Sequence, residues 1–135
     1  MDVNKGMLEQ LQKIKTQSVI DCIKFEPGDD LAFRVSREAH RGNPVARLLM
    51  GIFFYWYGKA IADQIVTFCP KDMYLTGGII LKNIELVTKD PFVKNCLHRA
   101  IERKGRMGVI TKSVSIKVIL EQDVGLLGAS RALEQ

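Results

Sequence analysis

The chain has 135 residues, of which 47% are apolar and 26% charged, and its formal net charge is +5. These values predict one soluble globular domain, 1–135, that is long enough to bury a core. The basic residues are scattered rather than clustered, so charge alone does not predict a nucleic-acid binder. The longest apolar run, Leu48 to Tyr57, has ten residues, which is too short to cross a membrane.

The cysteine pattern argues against a disulfide framework and against a zinc site. Cys22, Cys69 and Cys96 are odd in number and form no Cys-x-x-Cys pair. They predict reduced thiols in a cytoplasmic protein, with Cys69 and Cys96 packed in apolar runs. The N-terminal MDVNKGMLEQ has no basic-then-apolar layout of a signal peptide.

The first half of the chain predicts helices. Apolar spacing around residues 8–15 favours an amphipathic helix, and residues 26–30 favour a turn. A helix over 31–40 would be capped by Asp29 or Asp30, and residues 41–44 would break it. A long helix over 44–68 would follow, because Asn43 is a good N-cap and proline suits the first helical position.

This long helix is apolar nearly all round, which is typical of a core helix. Gly51, Gly58 and Ala62 place small side chains on one stripe, so a neighbouring helix or sheet can approach closely there. We interpret the aromatic residues 53–57 as packing residues rather than as a platform for stacking nucleic-acid bases.

The second half alternates strands and helices. Residues 73–76 predict a short buried strand, and a helix is expected to begin over 79–84, after two glycines. Asp90 and a proline would open a further helix that ends at Gly105. Alternation over 114–120 predicts a strand with one buried face, followed by a last helix over 123–132. The fold class is α/β, with parallel strands because helices connect them.

The stretch DMYLTGGIILKN, residues 72–83, is the strongest candidate for a ligand site. A strand, two glycines and a helix let a ligand lie against bare backbone, next to free N–H groups. Thr76 adds a hydroxyl group. The stretch matches neither GxxxxGK[ST] nor GxGxxG, so a purely structural turn stays an equal alternative on these residues alone. In the second glycine stretch, DVGLLGAS, we expect Gly125 and Gly128 to let the last helix pack closely on the sheet.

Taken in order, these stretches resemble the C-terminal part of bacterial-type glucokinases. These are ATP-dependent hexose kinases of the actin, hexokinase and heat-shock ATPase superfamily. The matching pieces are the long helix with Gly51 and Gly58, the TGGI of residues 76–79, the lysine-glycine-arginine turn at residues 104–106, and DVGLLGAS at 123–130. The resemblance covers roughly residues 30 to 133.

The resemblance implies half of a two-domain, ribonuclease-H-like architecture, with helices packed on a small, mostly parallel sheet. Members phosphorylate the 6-hydroxyl of glucose with ATP and Mg²⁺. The resemblance places the cofactor at the adenosine or phosphate region lined by Thr76, Gly77, Gly78 and Ile79.

The sequence also departs from the family. It has no Asp-x-Gly-x-Thr hairpin, no Asn-Asp pair, and no Glu-x-x-His, since Glu38 is followed directly by Ala39 and His40. Asp63, Asp72 and Asp90 are poor substitutes for a general base, so no catalytic and no metal-binding residue is assigned. We therefore expect a fragment that would meet glucose only through a missing N-terminal part, with weak or no ATP binding and no kinase activity alone.

Two alternatives stay open. A sugar-kinase-like module for dimerisation or regulation, most simply a homodimer, is favoured by the aromatic long helix, which could leave an apolar surface exposed. A nucleic-acid binder is favoured only by net charge, and we expect no such partner. His40 is expected in a loop and His98 on the surface, neither as a ligand.

Overall fold

The computed structural model describes residues 30–134, which form a mostly helical α/β arrangement. The elements in chain order are α1 (Leu31–His40), α2 (Pro44–Phe68), β1 (Asp72–Leu75), α3 (Gly78–Lys82), α4 (Ile84–Lys89), α5 (Pro91–Glu102), a single 3-10 turn (Gly105–Met107), α6 (Gly108–Ser113), β2 (Ser115–Val118) and α7 (Val124–Leu133). The helix expected around residues 8–15 and most of the turn at 26–30 lie outside the described residues.

Local capping explains where the first two helices begin. The Asp30 carboxylate accepts a hydrogen bond from the Ala32 N–H at 3.1 Å. The Asn43 side chain accepts from the backbone N–H groups of residues 45 and 46, and Pro44 occupies the first turn of α2. The 25-residue α2 ends at Cys69, whose φ of 46° is left-handed and cannot continue the helix. Both predicted helices are confirmed.

The centre of the fold is the packing of α2 against α5. A Cβ atom built on Gly58 would lie 2.8 Å from the Ala100 Cβ and 2.8 Å from the Leu97 carbonyl oxygen. One built on Gly51 would lie 2.3 Å from the ring of Phe92. The predicted close approach along the small-residue stripe is confirmed, and the neighbour is α5. Around this contact the buried apolar core collects Ala46, Met50, Phe54, Ile61, Ile65, Val93, Leu97 and Ile101.

Asp90 joins the beginnings of these two helices. Its carboxylate accepts from the Phe92 and Val93 N–H groups at 3.0 and 3.2 Å, which caps α5 as predicted. The same carboxylate accepts two hydrogen bonds from the Arg47 guanidinium, at 2.7 and 3.1 Å. The hydrogen bond from Arg47 is the main reason that the pKa of Asp90 lies below its ordinary value.

The two strands form a parallel sheet, as predicted. Asp72 pairs with Ser115 and Leu75 with Val118. Along both strands exposed and half-buried residues alternate. The prediction of a short buried strand over residues 73–76 is therefore right only in part. The strand exists and Met73 and Leu75 pack against the core, but it covers 72–75, Thr76 lies beyond it, and its other face is open. Across that open face the Lys117 ammonium donates to the Asp72 carboxylate at 2.8 Å.

Several further expectations are corrected. The helix after the glycines is two helices, because the chain bends at Asn83 between α3 and α4. The 3-10 turn and α6 lie where no element was predicted. In α7 no residue is buried. No atom of the described part of the chain lies within 4 Å of a Cβ built on Gly125 or Gly128, so the expected close packing on the sheet is wrong.

Two of the four expectations for the cysteines and histidines in the described residues are also corrected. Cys96 is buried as expected, and loss of hydration raises the pKa of its thiol to about 11. Cys69 is exposed rather than packed. His40 is the last residue of α1 rather than a loop residue, whereas His98 is exposed as predicted. Between residues 30 and 134, no helix has the length and apolar character needed to cross a bilayer.

Candidate functional site

The glycine turn, residues 76–79, connects β1 to α3. Gly77 has a φ of 112° and a ψ of 161°, a backbone conformation that is essentially restricted to glycine. It caps α3 without any side-chain hydrogen bond. All four residues of the turn are exposed. Since α3 has five residues, the partial positive charge at its N-terminus is small, and the bare peptide groups are the main feature of this turn.

Gly78 needs a separate explanation, because nothing within the described part of the chain requires a glycine there. It is the first residue of α3, and its φ is not positive. No atom of the described residues lies within 4 Å of a Cβ built on it. Alanine would also be the better helix former by about 1 kcal/mol. Within residues 30–134, neither backbone conformation nor packing accounts for this glycine.

A groove of about 590 Å³ opens beside this turn, between α1, α2 and α3. Gly78 and Ile79 line it, whereas Thr76 and Gly77 do not, so the structure brings two of the four predicted residues to the groove. Its walls are mainly apolar, and its polar side chains are few. The apolar walls come from Leu31, Phe33, Val35, Leu49, Met50 and Phe53, and the polar side chains are Asp30, Ser36, Lys82 and Asn83.

Ser36 and Asn83 join α1 to the junction of α3 and α4. The Ser36 hydroxyl donates to the Asn83 carboxamide oxygen at 2.6 Å. The Asn83 amide donates to the Ile79 carbonyl at 2.9 Å. The sequence assigned neither residue a role, although Asn83 is the last residue of the candidate stretch 72–83. The usable signal was a single asparagine, four residues after Ile79, in a mostly apolar helical stretch.

The other polar residues considered from the sequence have partners elsewhere. Glu38 pairs with Arg41 at 2.9 Å, and the His40 ring contacts the Ser36 carbonyl at 2.8 Å, so these two side chains do not form a sugar clamp. Lys104 forms an ion pair with Asp63. His98 lies at the edge of a second cavity, of about 420 Å³, between the apolar face of the sheet and α4 to α6.

The family model and the curated relatives that match this chain name the same family. The glucokinase family model matches residues 5–135. The glucokinase of Helicobacter pylori strain P12 is 34% identical over 102 residues, which are 74% of this chain and 29% of that protein. The Synechocystis glucokinase is 33% identical over 103 residues, or 75% and 28% of the two chains.

A more distant relative is the glucokinase of Neisseria meningitidis strain 053442, 26% identical over 113 residues, which are 82% of this chain and 33% of that protein. No solved structure gives a match. The matched region thus spans about 29% of the length of the first curated relatives. On the family model and these identities, the chain belongs to the glucokinase family.

Proposed function

We propose that this chain supplies the nucleotide-binding part of an ATP-dependent glucokinase, in which the γ-phosphate passes to the 6-hydroxyl of glucose. The observation that carries the proposal is Gly78, a glycine that lines an apolar groove and that no contact among residues 30–134 explains. The chain would form one domain, 1–135, within a ribonuclease-H-like two-domain enzyme of the cytoplasm.

The groove suits a nucleobase. Its volume of about 590 Å³ lies within the usual range for small-molecule sites. Phe33 and Phe53 offer apolar and aromatic surface to a purine, while Gly78 and Ile79 bring backbone close to it. Thr76 and Gly77 lie outside the groove, on the strand side of the turn, and would face the phosphates. ATP would bring the transferable phosphoryl group, and these residues would bind and orient it.

Magnesium does not fit a protein-held site in the described residues. No group of three or more His, Cys, Asp or Glu side chains that could hold a metal ion occurs between residues 30 and 134. Asp63 and Asp72 are paired with lysines, and Asp90 is paired with Arg47.

Catalysis would need groups that this sequence lacks. It contains neither the Asn-Asp pair nor the Glu-x-x-His of the resemblance, so it offers no general base and no sugar-binding pair. We propose that the isolated chain binds ATP weakly, does not phosphorylate glucose, and would meet glucose only as part of a longer enzyme.

An NMR titration tests the binding half of this proposal. Millimolar ATP should shift the amide resonances of residues 76–79 and of the groove, and adenosine should shift the groove residues. Tripolyphosphate, which lacks the base, should leave the groove unchanged. Shifts confined to other regions, or no shifts, would reject the nucleotide site. A coupled assay should detect no glucose 6-phosphate, and its formation would show that this chain carries a complete active site.

A second candidate function is a non-catalytic module that forms a homodimer. It is favoured by apolar side chains exposed on α2, where Trp56 is 64% and Phe68 71% exposed. Sedimentation separates the two functions. A tight dimer that is indifferent to ATP favours the module, whereas a monomer whose groove responds to ATP favours the nucleotide site.

A further inference from the structure

We propose that Ser36 is a positioning residue for the glycine turn and that it acts through Asn83. The inference rests on the nucleotide site proposed above, and it assigns a role to a residue on α1, far from that turn in sequence. The juxtaposition that carries it is the hydroxyl–carboxamide hydrogen bond between positions 47 residues apart.

Asn83 lies at the boundary between α3 and α4. It ends α3 and begins α4, with a φ of −110° that belongs to neither helix. Its side chain is polar, yet the residue is only 5% exposed. A buried carboxamide is held where its partners are, because leaving such a group without a hydrogen bond is strongly unfavourable.

The two partners of Asn83 are in different parts of the fold. One is the Ile79 carbonyl, one turn earlier on α3, which ties Asn83 to the glycine turn. The other is the Ser36 hydroxyl on α1. Ser36, Ile79 and Asn83 all line the groove, so this chain of hydrogen bonds runs along its wall. These two hydrogen bonds together fix the distance between α1 and the exposed peptide groups of the glycine turn, on the other side of the groove.

Ser36 contributes through its hydroxyl group rather than through bulk. Its donor bond occupies the Asn83 oxygen, and without it that oxygen would be buried and unpaired. The expected response is rotation of the Asn83 carboxamide and loosening of the contact with the Ile79 carbonyl. The turn would then sample positions in which the groove does not match a purine.

The test compares Ser36→Ala with Ser36→Thr, which keeps the hydroxyl. Ser113→Ala is the matched control, because the Ser113 hydroxyl donates locally to the Ile110 carbonyl on α6. Amide hydrogen exchange is followed at Leu81, whose N–H donates to the Gly77 carbonyl at 3.2 Å, with Leu97 in α5 as an internal reference. ATP affinity is measured by NMR in the same samples.

We expect Ser36→Ala to speed exchange at Leu81 about tenfold and to weaken ATP binding severalfold, since one buried hydrogen-bonding group is left unpaired. Exchange at Leu97 should stay unchanged, Ser36→Thr should restore both properties, and Ser113→Ala should alter neither. Unchanged exchange at Leu81, equal acceleration at Leu97, or failure of threonine to rescue would each overturn the inference.

Two outcomes separate this inference from the proposed function. If Leu81 exchange responds as expected while ATP affinity stays constant, the hydrogen bond is structural only and the positioning role is rejected. If the unaltered chain binds no ATP but Leu81 responds and threonine rescues it, the nucleotide site fails while the control of the turn by Ser36 stands.

Discussion

Two pairs of glycines in this chain have opposite surroundings: one pair is closely packed and the other is open. Gly51 and Gly58 lie inside α2, and the space of their missing side chains is filled by α5. Gly77 and Gly78 lie in the glycine turn, and no described atom comes within 4 Å of the positions that their side chains would take. The first pair is explained by the fold itself. The second leaves backbone open toward the outside, which is the property that a ligand site needs.

A glycine indicates a ligand site only where the fold itself gives no reason for it. A glycine that its own fold requires carries no information about ligands, however regular its spacing. Gly77 is an intermediate case, because its φ of 112° already requires glycine. Of these four glycines, only Gly78 has no reason among the described residues. Gly125 and Gly128 have similar open space but line neither cavity described above.

The largest effect on stability is expected for Gly58→Ala. Its new methyl group would meet the Leu97 carbonyl oxygen and the Ala100 Cβ, which belong to the rigid part of α5 and cannot turn away. The helices would have to separate, so we expect a loss of about 3 kcal/mol in the free energy of unfolding, measured by urea denaturation.

Gly51→Ala is the matched control for that variant. Its methyl group would meet the ring end of Phe92, a side chain that can rotate, so its destabilisation should be clearly smaller. Equal losses for the two variants would contradict the view that backbone contact with α5 sets the spacing of the helices.

Asp90→Ala should have the next largest effect, because it removes both the cap of α5 and the partner of Arg47. We expect a loss of about 2 kcal/mol at neutral pH, discounted for the partial exposure of Arg47. Asp90→Asn should lose less, since asparagine also caps helices.

The pKa of Asp90 is lowered in the folded chain, so its contribution is present above its unfolded value of about 3.9 and disappears as the pH falls through the folded value. Unfolding measured from pH 6 down to pH 2 should therefore show a smaller decline for Asp90→Asn than for the unaltered chain. An identical decline would show that the pKa of Asp90 is not lowered in the folded chain.

The helix pair could be predicted from the sequence because its determinants are local. Asp30, Asn43 and Asp90 cap helices by bonding to N–H groups two or three residues away. The small-residue stripe of α2 follows from the helical period. This reasoning could not give distances across the fold, so it missed that β1, like the strand predicted over 114–120, is covered on one face only, and that α7 lies exposed.

The groove beside the glycine turn could be predicted only in part, for the same reason. Two adjacent glycines after a strand are visible in the sequence, whereas the groove needs α1 to lie beside α3. The hydrogen bond from Ser36 to Asn83 joins residues 47 positions apart, and no local pattern encodes it. The bend at Asn83 was missed because residues 79–89 keep an apolar spacing that a continuous helix would also show.

Gly77→Ala should destabilise the chain by about 1–2 kcal/mol, because alanine is strained at its backbone angles. Gly105→Ala is the control: Gly105 also has a positive φ, of 58°, with open space around it, but it lies far along the chain from the groove. Thermal unfolding should show losses of the same order for both variants. ATP affinity measured by NMR should fall for Gly77→Ala alone, and an equal fall for Gly105→Ala would mean that strain rather than position weakens binding.

The smallest effect on stability, and the most informative effect on binding, is expected at Gly78. Gly78→Ala should leave the free energy of unfolding unchanged or raise it by up to about 1 kcal/mol, since alanine favours a helix and meets no atom there. Gly78→Val should add bulk toward the groove and weaken ATP binding about tenfold or more, because 1.4 kcal/mol of lost contact is a factor of ten. Gly125→Val is the control, since Gly125 also lies in a helix with open space around it. If Gly78→Val binds ATP as well as the unaltered chain does, the open backbone at this turn is no more than a bend between β1 and α3.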